Sequence, residues 1–215
     1  MCSILGSFEK EKIRELVDVN KHRGNFSYSI TAWDIEENLI VEQYKDFGDF
    51  DHKKLDKIID RDDIYYLCHV QAPTGGMMED ITRVHPVRID TSYLFHNGIL
   101  QRRTIKKLQK KYSEANDFDS YLLLKSLIEE GFEGLSDIEG LFTCAYIRQN
   151  ALHLFRTKHG KLYADANLSI SSEKFPDSFM INYDTIYRMN LKDKVLDIID
   201  EFETKKYNLI LEGEL

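Results

Sequence analysis

Residues 1–6 of the chain read MCSILG, a short apolar stretch that predicts a β-strand with a cysteine at its start. A small second residue permits removal of Met1, which would leave Cys2 with both its thiol and a free α-amine. The α-amine has a reference pKa of about 7.7 to 8.0, so part of it is an unprotonated base near neutral pH. A nucleophile that carries its own base is an arrangement suited to nucleophilic catalysis. The alternative is a buried thiol with no chemical role.

The composition predicts one domain over residues 1–215. Hydrophobic residues make up 42% of the chain, and 12 Tyr and 12 Phe supply large side chains for a core. The formal net charge of −8 disfavours a nucleic-acid surface, because phosphate contacts need clustered Lys and Arg. No stretch approaches the length of a membrane span, and the start lacks the features of a signal peptide. We therefore expect a cytoplasmic protein that binds neither nucleic acid nor membrane.

The cysteines and histidines do not suggest a metal or redox site. Cys2, Cys68 and Cys144 form no CxxC pair and no even framework for disulfides. The histidines do not have the spacing of a ligand set. We therefore expect no metal and no cofactor, and a reducing compartment would keep Cys2 as a thiol.

Apolar spacing predicts an α+β chain with many strands and two groups of helices. Helical spacing covers residues 9–22, 52–60, 104–112 and 119–130. Strand patterns cover residues 2–8, 27–33, 38–44, 64–70, 92–95, 141–148 and 151–157, with four shorter ones between residues 161 and 189. Residues 195–202 fit a strand or a short helix. Such a chain is compatible with two stacked sheets covered by helices.

Two segments that follow predicted strands carry polar residues and glycines. Residues 71–76 (QAPTGG) follow the apolar strand 64–70, and loops of this kind are common places for functional sites. Residues 96–98 (HNG) follow strand 92–95, and the Asn-Gly pair predicts a tight hairpin turn. A tight turn can aim two hydrogen-bond donors at one point.

Several segments, taken in order, resemble the glutaminase domain of class II glutamine amidotransferases, which use an N-terminal nucleophile (Ntn). The segments are residues 2–6 (CSILG), 22–24 (HRG), 69–74 (HVQAPT) with 85–86 (HP), 95–99 (FHNGI) and 119–120 (DS). Weaker similarities are residues 140–145 (GLFTCA), 160–163 (GKLY) and 171–173 (SSE). The resemblance implies an Ntn-hydrolase-like fold, a four-layer αββα sandwich of two mainly antiparallel sheets.

The resemblance also implies a catalytic role for three residues. Cys2 would attack the side-chain carboxamide of glutamine, while its α-amine shuttles the proton and ammonia leaves. The tetrahedral intermediate carries an oxyanion, which needs preorganised donors. The side-chain amide of Asn97 and the backbone N–H of Gly98 would be these donors. Because the α-amine supplies the base, the histidines at positions 69, 85 and 96 are expected to be structural hydrogen-bonding groups.

Five further residues, one of which is Gln71, would bind the substrate or hold the nucleophile. By the resemblance, Arg23 and Gly24 lie beside Cys2, and the Gly24 carbonyl holds the Cys2 amine. Asp119 would bind the α-ammonium of glutamine, with Thr74 contacting it from a loop. The alternative for Asp119 is a helix N-cap, which Asp fills well.

Two positions depart from the family pattern. Ser3 stands where the family usually has Gly. Gln71 stands where the family usually has the Arg that pairs with the α-carboxylate of glutamine. A neutral side chain cannot form a bidentate, charge-assisted pair. The change therefore bears on substrate identity or affinity more than on the nucleophile.

These features predict a glutamine amidotransferase subunit that hydrolyses glutamine and supplies ammonia to an acceptor enzyme, a synthase on another chain. One alternative is an amidohydrolase that acts on another γ-glutamyl or acyl amide. A second is a catalytically silent, glutaminase-like regulatory subunit. Fold similarity cannot separate these possibilities, since one fold can carry several functions.

Overall fold

Two antiparallel sheets with helices on their outer faces make up the structure, a computed structural model that describes residues 2–72, 80–149 and 151–204. The helices are α1 (Lys10–Asn20), α2 (His52–Lys57), α3 (Arg102–Tyr112) and α4 (Asp119–Glu130). The strands are β1 (Ser3–Ser7), β2 (Ser27–Asp34), β3 (Leu39–Phe47), β4 (Ile64–Gln71), β5 (Val87–Ile89), β6 (Ser92–Leu100), β7 (Gly140–Arg148), β8 (Ala151–Arg156), β9 (Tyr163–Ala164), β10 (Ile170–Ser171), β11 (Phe179–Met180), β12 (Thr185–Asn190) and β13 (Val195–Glu201).

The chain start lies in the middle of the first sheet. The strand order there is β11-β9-β10-β1-β4-β2-β3, and β1 is paired on one side with β4 and on the other with β10. The second sheet has the order β13-β12-β8-β7-β6-β5. A central β1 places Cys2 among neighbouring strands from distant parts of the sequence.

The two sheets face each other across one apolar layer. Ile4 and Tyr65 of the first sheet lie in the same buried cluster as Phe95 and Leu154 of the second. Side chains alternate between the two faces of a strand, so the remaining apolar residues point outward. Both faces of β2 and β4 are covered, and every residue of these two strands is buried as a result.

Helices cover the outer faces of both sheets. Ile13, Leu16 and Val17 recur at helical spacing on α1 and pack, together with Leu55 of α2, against the first sheet. Leu108 of α3 and four leucines of α4 pack against the second sheet. The order of layers is helix, sheet, sheet, helix, which confirms the predicted α+β sandwich. Among the described residues, no helix has the length and apolar character needed to cross a membrane.

The predicted hairpin turn at Asn97 and Gly98 is wrong. Both residues lie inside β6, where Asn97 is opposite Thr143 and Gly98 is opposite Phe142 of β7. Pairing with β7 along the whole of β6 overrides the local preference of Asn-Gly for a turn.

Smaller differences concern the strands. Strand β5, which is only three residues long, was not predicted, and the expected strands in 161–183 shorten to two-residue pairings. Residues 195–201 form a strand, because β13 pairs along its length with β12.

Candidate active site

Cys2 lies immediately before β1 and is buried, with 8% of its surface exposed. Arg23, in the 3₁₀ turn that follows α1, donates from Nε to the Cys2 backbone oxygen at 3.0 Å. The guanidinium of Arg23 also pairs with Glu173. Arg23 therefore holds the backbone of the residue that carries the thiol.

Burial controls the ionisation of Cys2. It raises the pKa of the Cys2 thiol above its ordinary value, and the carboxylate of Asp119 adds to this rise. A hydrogen bond from the Ala72 backbone and the charge of Arg23 act in the opposite direction, with smaller total effect. The thiol is therefore protonated near neutral pH, and nucleophilic attack requires a base.

Gly24 lets two backbone segments meet beside Cys2. A Cβ atom at Gly24 would lie 2.5 Å from the carbonyl carbon of Gln71 and 2.7 Å from the nitrogen of Ala72. Phe26 N–H donates to the Gln71 oxygen at 2.9 Å, which holds the segments together. Only glycine permits this approach. The predicted contact between the Gly24 carbonyl and the amine of Cys2 stays a prediction.

One edge of β6 is open in the region of Gly98. In an antiparallel strand the N–H and C=O of one residue point to the same side, and successive residues alternate. His96 C=O and Leu100 N–H both point away from β7, because they bond His69 Nε2 at 3.1 Å and Asp119 Oδ2 at 3.1 Å. By the same alternation, the N–H and C=O of Gly98 also point away from β7. On that side, β5 pairs with β6 only as far as Leu94. The Gly98 N–H therefore faces an edge that β5 does not cover.

Gly98 itself cannot be replaced without moving the sheet. A Cβ atom there would lie 2.0 Å from the Leu141 oxygen and 2.7 Å from the Phe142 Cα, both of which are backbone atoms.

The side chain of Asn97 is on the face of β6 that meets the first sheet. Asn97 Nδ2 donates to Ser172 Oγ at 3.2 Å, and the same oxygen accepts Ile4 N–H at 3.0 Å. Ile4 is two residues from Cys2 in the sequence. The predicted nucleophile and the predicted amide donor are thus brought together through one serine hydroxyl.

Asp119 connects α4 to the open edge of β6. Its carboxylate accepts Leu100 N–H through Oδ2 and Ser120 N–H through Oδ1, the latter at 2.7 Å. The N-cap alternative is wrong, since Phe118 occupies the N-cap and Asp119 is the first residue of the helix. The negative charge of Asp119 also acts on the Cys2 thiol, whose pKa it helps to raise.

Gln71 is the last residue of β4, and its side chain is already engaged. The amide oxygen accepts from Ser27 Oγ at 3.2 Å and lies 3.4 Å from His85 Nδ1. The amide nitrogen is 3.5 Å from the Arg83 backbone oxygen. Only 2% of Gln71 is exposed. Thr74, the remaining predicted site residue, lies outside the described residues.

His69, His85 and His96 form a buried group behind the candidate site, which we call the histidine cluster. Ser120 Oγ lies 3.0 Å from His85 Nε2 and 2.8 Å from His96 Nδ1. Burial lowers the pKa of His69 to about 3 and also lowers the pKa of His85 and His96. The imidazoles are therefore neutral near pH 7, in agreement with the expected structural role. In the described ranges, no group of three His, Cys, Asp or Glu side chains could hold a metal ion.

We expect the histidine cluster to make the protein less stable as the pH falls from 7 to 5. The unfolded chain protonates its histidines near pH 6.5, whereas burial keeps His69 neutral in the folded protein across this range and lowers the pKa of His85 and His96. The unfolded state then binds more protons, so each such histidine lowers the free energy of unfolding by up to about 1.4 kcal/mol per pH unit below 6.5. Denaturant unfolding at pH 7, 6 and 5 measures this slope. His69→Gln should have a smaller slope than the exposed control His159→Gln, and equal slopes would contradict the expectation.

Three contributors to the site were not predicted as site residues. Ser120 adjoins Asp119, and Ser172 and Glu173 belong to the SSE segment, which entered only as a weak similarity. Nothing in their local sequence indicates hydrogen bonds to residues 75 and 150 positions away. Their position beside recognised segments was the one available signal.

The fold is the predicted four-layer sandwich of two antiparallel sheets between helices, and it is similar to that of a glutamine amidotransferase. Two solved structures share it. One is the glutamine phosphoribosylpyrophosphate amidotransferase from B. subtilis complexed with ADP and GMP, at 15% identity over 95% of this chain with a TM-score of 0.69. The other is described as the allosteric regulatory enzyme of purine biosynthesis, at 14% identity over 95% with a TM-score of 0.70.

The similarity concerns the fold. This chain spans 50% of the length of each of the two solved chains. No protein-family model and no curated protein sequence matches it.

Proposed function

We propose that this chain is a glutaminase domain, spanning residues 1–215, that hydrolyses the side-chain amide of glutamine with Cys2 as its N-terminal nucleophile. The observation that carries the proposal is the link between Cys2 and Asn97. The strand that begins after Cys2 and the amide of Asn97 bind the same hydroxyl, that of Ser172. The open backbone edge at Gly98 lies on the adjoining part of β6, which brings a second donor to the same region.

The proposed reaction begins with attack of Cys2 Sγ on the amide carbon. The thiol proton passes to the α-amine, and a C–S bond forms as the carbonyl becomes a tetrahedral oxyanion. Asn97 Nδ2 and Gly98 N–H donate to this oxyanion. The protonated amine then gives its proton to the leaving nitrogen, the C–N bond breaks and ammonia departs. Water attacks the thioester by the same route, releasing glutamate and the free thiol.

The other predicted residues complete the proposal. Arg23 and Gly24 position the backbone of Cys2. Asp119 and Thr74 bind the α-ammonium of glutamine. Gln71 offers a neutral contact to the α-carboxylate. The ammonia passes to a synthase on another chain in the cytoplasm, and low activity without that partner is expected where loop closure depends on it.

Ammonia release from glutamine, with and without candidate synthases, tests the proposal. We expect glutamate and ammonia in equal amounts and a higher rate, or trapped ammonia, with the right synthase. Full turnover that no partner changes would reject the dedicated partner. A protein that retains Met1 and releases no ammonia would instead support the silent subunit.

A second candidate is an amidohydrolase acting on an amide that lacks the α-carboxylate. The surroundings of Gln71 favour it. The amide of Gln71 already bonds groups of the protein, and Arg23, whose charge acts on Cys2, pairs with Glu173. The sequence of residues 73–79 (PTGGMME) contains no Lys or Arg. Among the described residues, the carboxylate of Asp119 could therefore bind a positively charged substrate group. The guanidinium of Arg23, which would be needed for a substrate carboxylate, is already paired with Glu173.

Gln71→Arg separates the two candidates. If glutamine is the substrate, the new guanidinium should pair with its α-carboxylate. Hydrogen bonds to charged groups contribute about 1.5–3 kcal/mol and neutral ones about 0.5–1.5, so KM for glutamine should fall several-fold. Steady-state kinetics on folded protein measures the change, and Gln43→Arg on the outer strand β3 is the matched control. Negligible glutamine turnover, together with rapid cleavage of an amide without the carboxylate, would reject the glutaminase and support the second candidate.

A further inference from the structure

Residues 171–173, at and just after the end of β10, each contact a different part of the structure. Ser171 Oγ accepts from Asn20 Nδ2 at 2.8 Å, at the end of α1. Ser172 binds β1 and Asn97. Glu173 pairs with Arg23, which holds the Cys2 carbonyl. Ser172 and Glu173 therefore contact residues of the candidate site, whereas Ser171 joins β10 to the end of α1.

Ser172 is joined to β1 by two hydrogen bonds. Its backbone N–H donates to the Ile4 oxygen at 3.1 Å, and its Oγ accepts Ile4 N–H at 3.0 Å. Ser172 has no exposed surface, so water does not compete for these groups. The hydroxyl oxygen is therefore fixed relative to the strand that carries Cys2.

The same oxygen limits the orientation of Asn97. Rotation of an asparagine amide about χ2 is broad and not confined to three staggered positions. The two N–H bonds of the planar amide lie at a fixed angle, so anchoring one N–H on Ser172 also sets the direction of the other. An oxyanion donor has to be aimed before the reaction, because its contribution depends on preorganisation.

We propose that Ser172 is a positioning residue that aims the side-chain amide of Asn97 at the carbonyl attacked by Cys2. The proposal rests on the glutaminase function proposed above. Ser172 acts through Asn97 and does not itself contact the reacting atoms. Loss of its hydroxyl should lower kcat and leave KM nearly unchanged, since the oxyanion forms only after substrate has bound.

The test compares Ser172→Ala with Ser171→Ala. Each change removes one buried serine hydroxyl, and the two positions are adjacent, but the hydroxyl of Ser171 accepts from Asn20 Nδ2 and Glu173 N–H and not from Asn97. We expect Ser172→Ala to lower kcat about 10- to 100-fold, a part of the loss typical for removal of an oxyanion donor, with KM within about twofold. Ser171→Ala should keep kcat within about twofold per folded molecule, whatever its effect on Tm. Equal kcat values for the two variants would overturn the proposal.

A double variant asks whether Ser172 acts through Asn97. Asn97→Ala with Ser172→Ala should be no slower than Asn97→Ala alone, within about threefold, because the group that Ser172 positions is already absent. Losses that multiply would overturn the proposal. If Ser172→Ala does not fold, Ser172→Cys keeps a side chain of similar size with a weaker acceptor, and its kcat should still fall.

A measurement without turnover separates this inference from the proposed function. The measurement is the NMR spectrum of the side-chain NH₂ groups, in which the Asn97 signals are identified by their loss in Asn97→Ala. These signals should shift in Ser172→Ala and keep their positions in Ser171→Ala. Unchanged signals in Ser172→Ala would overturn the positioning role even in an active enzyme. A shift in a protein that cleaves no amide would reject the proposed function and leave the contact between Ser172 and Asn97 established.

Discussion

Cys2→Ala is expected to abolish amide hydrolysis while the folded structure is retained. The replacement removes the nucleophile, and no described residue near Cys2 offers a second thiol, because Cys68 and Cys144 have no exposed surface. The Cys2 side chain is small and lies at the beginning of a strand, so its loss should cost little stability. Cys2→Ser should be similarly inactive, since a hydroxyl is a far weaker nucleophile than a thiol.

Covalent labelling provides the control for this expectation. The glutamine-like electrophile diazo-oxo-norleucine should add to Cys2 in protein that has lost Met1, as intact mass and peptide mapping would show. Burial raises the pKa of Cys68 and Cys144, which keeps both as unreactive thiols. Cys144→Ala serves as the matched variant and should keep its activity per folded molecule. Labelling at Cys68 or Cys144, with activity surviving in Cys2→Ala, would reject the assignment of the nucleophile.

Asn97→Ala should lower kcat by about 10²–10³ with a smaller effect on KM. The amide is expected to donate mainly to the oxyanion of the transition state, and loss of one such donor has this magnitude in other enzymes. Steady-state kinetics corrected for the folded fraction measures the change.

Asn20→Ala is the matched control for Asn97. Asn20 is also a buried asparagine, but its amide donates to the Leu16 oxygen and Ser171 Oγ and so joins α1 to β10. Its replacement should lower the free energy of unfolding and leave kcat unchanged. If Asn97→Ala behaved in the same way, with lower stability and a normal rate, Asn97 would have a structural role only.

The sequence predicted the layers of the fold better than the details of its strands. Periodic apolar residues in α1 and α4 and continuous apolar runs in β4 are local signals that long elements preserve. The turn predicted at Asn97 and Gly98 is wrong because its local signal was short. A two-residue turn signal is weak beside eight pairings with a neighbouring strand 40 or more residues away, and such pairings cannot be read locally.

For the candidate site too, local sequence signals were predictable and long-range contacts were not. Cys2, Asn97 and Asp119 could be singled out because each belongs to a recognisable segment. In the structure, Ser172 connects Asn97 to the strand that follows Cys2, and Asp119 binds β6. The hydrogen bonds of Ser172 and Ser120 depend on how distant strands and helices meet. Chemical type alone does not distinguish these two serines from the buried Ser3 or Ser29, whose hydroxyls have no hydrogen-bond partner among the described residues.

The early end of β5 has a consequence for how the protein avoids association with itself. Unpaired backbone at the side of a strand is a template on which another chain can add and aggregate. Beyond Leu94, one side of β6 is not paired with another strand. There the carbonyl of His96 accepts a hydrogen bond from His69, and the N–H of Leu100 donates one to Asp119. Between these two groups only Gly98 has its N–H and C=O on this side of β6, and one residue is too short for a strand of another protein to pair with. The same arrangement leaves the N–H of Gly98 as a single backbone donor on the part of β6 that β5 does not cover.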